Sequence, residues 1–98
     1  MSDLLHASDF APLLNQTLPI RFSEAITMPA ELISVREVNN YSPVERIPFS
    51  IILRTGQKTE YYEQTICILQ HPEKGEIPLF LVPLGLDSEG MRYEAVFA

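Results

Sequence analysis

Two apolar runs close the chain, Ile77-Pro78-Leu79-Phe80-Leu81-Val82-Pro83 and Met91-Arg92-Tyr93-Glu94-Ala95-Val96-Phe97, and the seven residues between them include Gly85, Asp87, Ser88 and Gly90. Glycine and aspartate are turn formers, and seven-residue apolar runs suit strands better than helices. The pattern predicts a hydrophobic β-hairpin, and a hairpin there calls for more sheet upstream.

The upstream sequence supplies it. In residues 49–54, Phe49, Ile51 and Leu53 fall on one face of a strand and Ser50, Ile52 and Arg54 on the other. Thr55-Gly56-Gln57-Lys58 reads as a turn. Residues 62–70 form the next strand, with Tyr62, Ile66 and Ile68 opposite Thr65, Cys67 and Leu69. Pro72-Glu73-Lys74-Gly75 is a tight turn in which Gly75 can take a positive φ, and residues 76–82 return. Residues 30–38 fit a helix through Leu32, Val35 and Val38 and a strand through Ile33 and Val35; their β-branched content favours the strand. Residues 20–26 are a strand with Ile20, Phe22 and Ile26 inward, interrupted at Glu24.

Two segments lie outside this pattern. Phe10, Leu13 and Leu14 share one face of a short N-terminal helix, capped by Ser8 or Asp9 with Pro12 in its first turn, and that face is expected to plug an open end of the β core. Pro19 stops its continuation. Residues 39–48, with Asn39, Asn40, Ser42, Pro43 and Pro48, are the longest predicted connection. The fold class is all-β and mainly antiparallel: a small barrel or sandwich of about five to seven strands with a short N-terminal helix, one domain over residues 1–98. Because proline cannot donate to a ladder, the strand carrying Pro78 either lies at an edge or turns that position away from its neighbour, and an apolar edge is normally covered.

Composition narrows the function classes. Thirteen acidic and seven basic side chains give a formal charge of −6, which disfavours nucleic acid and anionic lipid surfaces. Apolar stretches of about seven residues are far too short for a spanning helix, so no membrane insertion is expected. Met1-Ser2-Asp3-Leu4-Leu5-His6 lacks the basic start and apolar centre of a secretory signal, which makes the cytoplasm the expected compartment. One cysteine, Cys67, cannot form an internal disulfide.

Residues that carry chemistry are sparse. His6, His71 and Cys67 do not have metal-ligand spacing. Cys67 and His71 share a strand face, but four residues at about 3.3 Å each set them roughly 13 Å apart, beyond nucleophile–base contact. Cys67 reads as a small buried hydrophobe and His71 as a strand-end residue bonding turn backbone. The pairs Glu60/Glu63, Glu73/Glu76 and Glu89/Glu94 invite an acid–base reading, yet most flank turns where charge is solvated. No Walker or dinucleotide fingerprint occurs. No catalytic, cofactor-binding or metal residue is assigned, no cofactor is expected, and the reading leans away from an enzyme.

The segment Leu69-Gln70-His71-Pro72-Glu73-Lys74-Gly75-Glu76-Ile77-Pro78-Leu79-Phe80-Leu81-Val82-Pro83, with Tyr93-Glu94-Ala95-Val96-Phe97, resembles a bacterial domain-of-unknown-function family of about this length. The resemblance extends to residues 10–17 and 49–54. Asn15 stands where the family pattern has glycine, Thr55-Gly56 replaces a Gly-Pro turn, and Ala98 replaces a terminal polar residue. These departures alter turn chemistry. The resemblance implies neighbours of the phage-tail collar or tail-fibre type, hence a role in assembling or decorating a fibre, and it carries no catalytic residues.

Three readings follow. The first is an interaction protein, an accessory subunit or assembly chaperone of a fibre- or tail-like protein partner, with Tyr41, Phe80 and Leu81 as contacts; Tyr41 enters as an aromatic in the long loop. The second is a structural subunit that self-associates through an edge strand. The third is a small-ligand-binding barrel or a hydrolase using a glutamate pair.

Overall fold

Alternation between core and solvent shapes the strands of this protein, and in β3 (Phe49–Thr55) Phe49, Ile51, Leu53 and Thr55 are buried while Ile52 and Arg54 are partly exposed; Ser50, on the outward face, is covered as well. A computed structural model describes residues 5–37, 48–59, 62–63 and 65–97. The other strands are β1 (Thr17–Ser23), β2 (Ile26–Glu37), β4 (Thr65–His71), β5 (Gly75–Leu86) and β6 (Met91–Phe97). They close into an antiparallel barrel in the order β1-β2-β3-β6-β5-β4. Between sandwich and barrel, the chain forms the barrel. Its two halves are three-strand meanders, joined by a crossover from β3 to β4, which are not neighbours in the barrel. Closure between β1 and β4 is brief, with Ile20 opposite Leu69 and Arg21 opposite Ile68.

Inward residues fill the barrel. Ile20, Leu32, Phe49, Ile51, Leu53, Leu69, Leu81 and Tyr93 are all fully buried, and each side chain of this kind contributes about 1.5–3 kcal/mol by leaving water. Both ends are sealed. At one, the predicted N-terminal helix is a pair of 3-10 turns, Ala7–Asp9 and Ala11–Leu13, because seven residues broken by Pro12 are too few for a capped α-helix. The ring of Phe10 drops between them into the barrel mouth, 5.8 Å from Phe49, 5.5 Å from Phe97 and 5.4 Å from His71. Leu13 packs against the core, whereas Leu14 is 42% exposed, so the predicted apolar face is narrower than its spacing suggests. Asn15 ends the plug at φ 70, a left-handed conformation that asparagine tolerates and glycine prefers, and its N–H donates to the Leu32 carbonyl at 2.7 Å.

The opposite end is closed by the crossover. Tyr62 stacks on Phe22 at 4.5 Å and its backbone N–H donates to the Tyr93 hydroxyl at 2.9 Å. That hydroxyl donates in turn to Gln57 Oε1 at 2.7 Å, where the Thr55 hydroxyl also donates. Tyr62 therefore belongs to this seal and not to the strand predicted over 62–70, which starts at Thr65.

Proline positions explain the remaining differences. The predicted strand 20–26 is instead the end of β1 and the start of β2, turning at Glu24 and Ala25, and both strands accept a proline. Pro19 and Pro29 stand directly opposite one another. Such a pair survives because β1 meets β4 only at Ile20 and Arg21, and β2 meets β3 only from Ala30 onward. Each proline thus has a neighbour on one side and turns its missing donor to the other. β5 repeats the arrangement: residues 75–81 pair with β4, residues 82–86 with β6, and Pro78 and Pro83 fall in separate halves. Pro78 is therefore not on an edge strand; its position faces away from β4. A bulge between Pro83 and Gly85 carries β5 on to Leu86, past the predicted limit at residue 82.

Candidate interaction surface

With the interior occupied, the chemistry open to the protein lies on its outer face. Along β5 the period of two puts Ile77, Leu79 and Leu81 inside and Pro78, Phe80 and Val82 outside. Ile66 of β4 stands opposite Phe80. On the other side Val82 is opposite Glu94, where the pairing of β5 with β6 ends, and Val96 stands two residues past Glu94 on the same outer face of β6. The result is an apolar row across three strands, with Ile66 64%, Phe80 53%, Val96 64% and Val82 36% exposed. Leu84 extends it along the bulge at 41%. Its apolar area is roughly 500 Å², the scale at which an exposed patch on a monomer is often functional.

Of the three residues predicted as contacts, Phe80 lies at the centre of this row. Leu81 does not join it: the side chain points into the barrel and is fully buried, because neighbouring strand residues face opposite ways. Tyr41 lies outside the described residues. Sequence reading missed Ile66, Val82 and Val96. Ile66 precedes the buried Cys67 and Val96 follows the buried Ala95, but nothing in one strand says which face is inside.

Beside the apolar row sits a polar cluster. Arg54 leaves the outer face of β3 and donates to Glu31 at 2.9 Å, Asp87 at 3.1 Å and Glu89 at 3.3 Å. Its ladder neighbour on β6 is Arg92, and the three carboxylates offset that like charge. Asp87 also organises the β5–β6 turn, accepting from the N–H groups of Glu89 at 2.8 Å and Gly90 at 2.9 Å. The Glu89 N–H, helped by Arg54 and the Gly90 N–H, holds the Asp87 carboxyl below the usual carboxylate range. A depressed folded-state value contributes stability above the ordinary range near pH 4, lost as pH falls through it. Thermal unfolding of Asp87→Asn is expected to show a shallower acid dependence than the wild type, with the two curves converging at low pH.

The nucleophile candidates are structural. Cys67 is buried, and burial pushes its thiol up to about 11. The thiol is therefore protonated at neutral pH, and an aromatic disulfide reagent should label it at least about 100-fold more slowly in the native protein than in urea. His71 accepts at Nδ1 from the N–H groups of Glu73 and Lys74, both at 3.0 Å, and its Nε2 faces the Asp9 carbonyl at 2.7 Å. With Nδ1 accepting, the ring is the Nε2–H tautomer and donates to Asp9, tying the β4–β5 turn to the N-terminal plug. The glutamate pairs do not assemble a cleft either: Glu76 pairs with Arg21 at 3.5 Å, Glu89 with Arg54, and Glu63 is exposed. Glu60 lies outside the described residues. Among the described residues no group of three or more histidine, cysteine or acidic side chains could hold a metal ion, and no helix is long and apolar enough to cross a membrane.

A closed six-strand antiparallel barrel, plugged at one end by a phenylalanine, sealed at the other by a crossover tyrosine and apolar on part of its exterior, defines the class of domain. Within it, this chain belongs to the domain-of-unknown-function family DUF6916, whose model matches residues 5–97. The chain matches no curated protein and no solved structure.

Proposed function

We propose that the protein is a non-enzymatic interaction module, an accessory subunit or assembly chaperone that docks a protein partner on the outer face of β4, β5 and β6. One observation carries the reading: Phe80, Ile66 and Val96 present large apolar side chains to water on the outer face of three consecutive strands, while the inward residues of the same strands pack into one buried core. A fibre- or tail-like assembly, the partner implied by the sequence resemblance, suits such a module.

The test is photo-crosslinking in the source cell. A benzophenone amino acid replaces Phe80 in one variant and Thr27, on the far side of the barrel, in another. The reading requires a discrete protein adduct from position 80 that is missing from position 27. Equal labelling at both, or none at 80, contradicts it. Phe80→Asp should leave the barrel folded and lower its unfolding free energy by only about 1–2 kcal/mol, since the ring is half exposed and its loss is confined to strand propensity and the pair with Ile66.

A further inference from the structure

We infer that the face around Phe80 takes one amphipathic helix with a basic polar side, a reading that rests on the docking role proposed above and specifies its partner. Dimensions select a single helix. The row spans β4 to β6, two strand spacings or about 10 Å, which matches the 10–12 Å diameter of a helix with its side chains. Along β5 it runs from Pro78 to Leu84, about 20 Å of strand, or roughly 13 residues of helix.

A second copy of the chain fits poorly. Each copy carries a formal charge of −6, which opposes self-association.

The same charge favours a cationic partner. Glu94 sits beside Val82 in the ladder, Glu63 stands three residues before Ile66, and Glu76 lies four residues before Phe80 on the same strand face. The cations on this side are Arg21, which pairs with Glu76, Arg92, two residues before Glu94, and Arg54, which is held by Glu31, Asp87 and Glu89. Carboxylates therefore outnumber cations around the row, as they do in the whole chain. Lysine or arginine on the flanks of a bound helix would meet Glu63 and Glu94 while its apolar stripe covers Ile66, Phe80 and Val96.

The experiment uses three synthetic peptides of about 14 residues: an amphipathic leucine–lysine helix, its leucine–glutamate counterpart, and a scrambled leucine–lysine sequence without an apolar stripe. Binding of labelled peptide to the full chain is read by fluorescence anisotropy. The lysine helix is expected to bind at least about tenfold tighter than either control. Phe80→Asp supplies the discriminating arm. It adds a negative charge, so attraction that is merely electrostatic strengthens, while docking on the apolar row weakens at least about tenfold.

Preference for the glutamate helix, equal binding of the scrambled peptide, or lysine-helix binding that survives Phe80→Asp overturns the inference. So does a concentration-dependent dimer in sedimentation that Phe80→Asp dissolves, which would make the occupant a second copy. Failure of the peptides with a crosslink still formed at position 80 rejects the basic helix and keeps the docking role; loss of both rejects the two together.

Discussion

Phe10→Ala is expected to lower the unfolding free energy by about 4 kcal/mol and the melting temperature by roughly 20 °C. The size follows from the position of the ring. Phe10 is fully buried, although it belongs to a short segment of 3-10 turns and not to the sheet. Its removal strips apolar contact from Phe49, Phe97 and His71 at once and opens the barrel mouth. The plug has polar supports, the Asn15 N–H to the Leu32 carbonyl at 2.7 Å and Asp9 to His71 at 2.7 Å, but each is worth only about 1 kcal/mol net. They position the ring and do not replace it. Leu14→Ala, three residues past the second turn's start and 42% exposed, serves as the comparison and should cost under about 1 kcal/mol. Chemical denaturation of the two variants measures the contrast; equal losses would mean that the segment acts as a loose cover.

Gly90→Ala is the second large effect, at about 3 kcal/mol. A Cβ at this position runs into the backbone carbonyl of Thr55, with the Arg54 side chain 3.3 Å away. The obstacle is backbone of a central strand, which cannot swing aside as a side-chain tip would. To admit the methyl, the β5–β6 turn must lift off β3, taking Asp87 and Glu89 away from Arg54. Gly56→Ala is the matched control, since a Cβ there meets nothing within 4 Å. Urea midpoints separated by less than 1 kcal/mol equivalent would show that the turn yields easily, which the close approach of Gly90 to β3 does not allow.

Much of this architecture can be read in the residues, and the limits have physical causes. Strand β3 is legible because it alternates strictly, and the β4–β5 hairpin because Gly75 takes φ 79 where the turn requires it. His71 bonds turn backbone as its place at a strand end suggests. Asn15 holds a left-handed backbone at φ 70, a conformation that asparagine adopts more readily than other non-glycine residues. Prolines mislead in the other direction. They mark strand ends or edges when read singly, but a barrel of staggered strands offers many positions with one neighbour, and Pro19, Pro29, Pro78 and Pro83 all occupy such places.

The apolar row was half legible for a different reason. Alternation in β5 separates Leu79 and Leu81 from Phe80 and Val82, yet all four are apolar, and hydropathy cannot choose the inner pair. The choice is made by β4, where Thr65, Cys67, Leu69 and His71 turn inward against Leu81, Leu79, Ile77 and Gly75. Register across strands is a long-range property, absent from any one window of sequence. The same register brings Ile66 opposite Phe80, and with Val96 on the outer face of β6 the surface is one that no single strand contains.

That surface, on the outside of a filled barrel, is the central claim, and methyl NMR with a fluorescent naphthalenesulfonate dye as apolar probe tests it most directly. Titration is expected to shift the methyl signals of Ile66, Val82, Leu84 and Val96 while those of Leu32, Ile51, Leu69 and Leu81 stay in place. Shifts concentrated on the second set would show an apolar molecule entering the barrel, and the protein would then be a ligand carrier with its site inside.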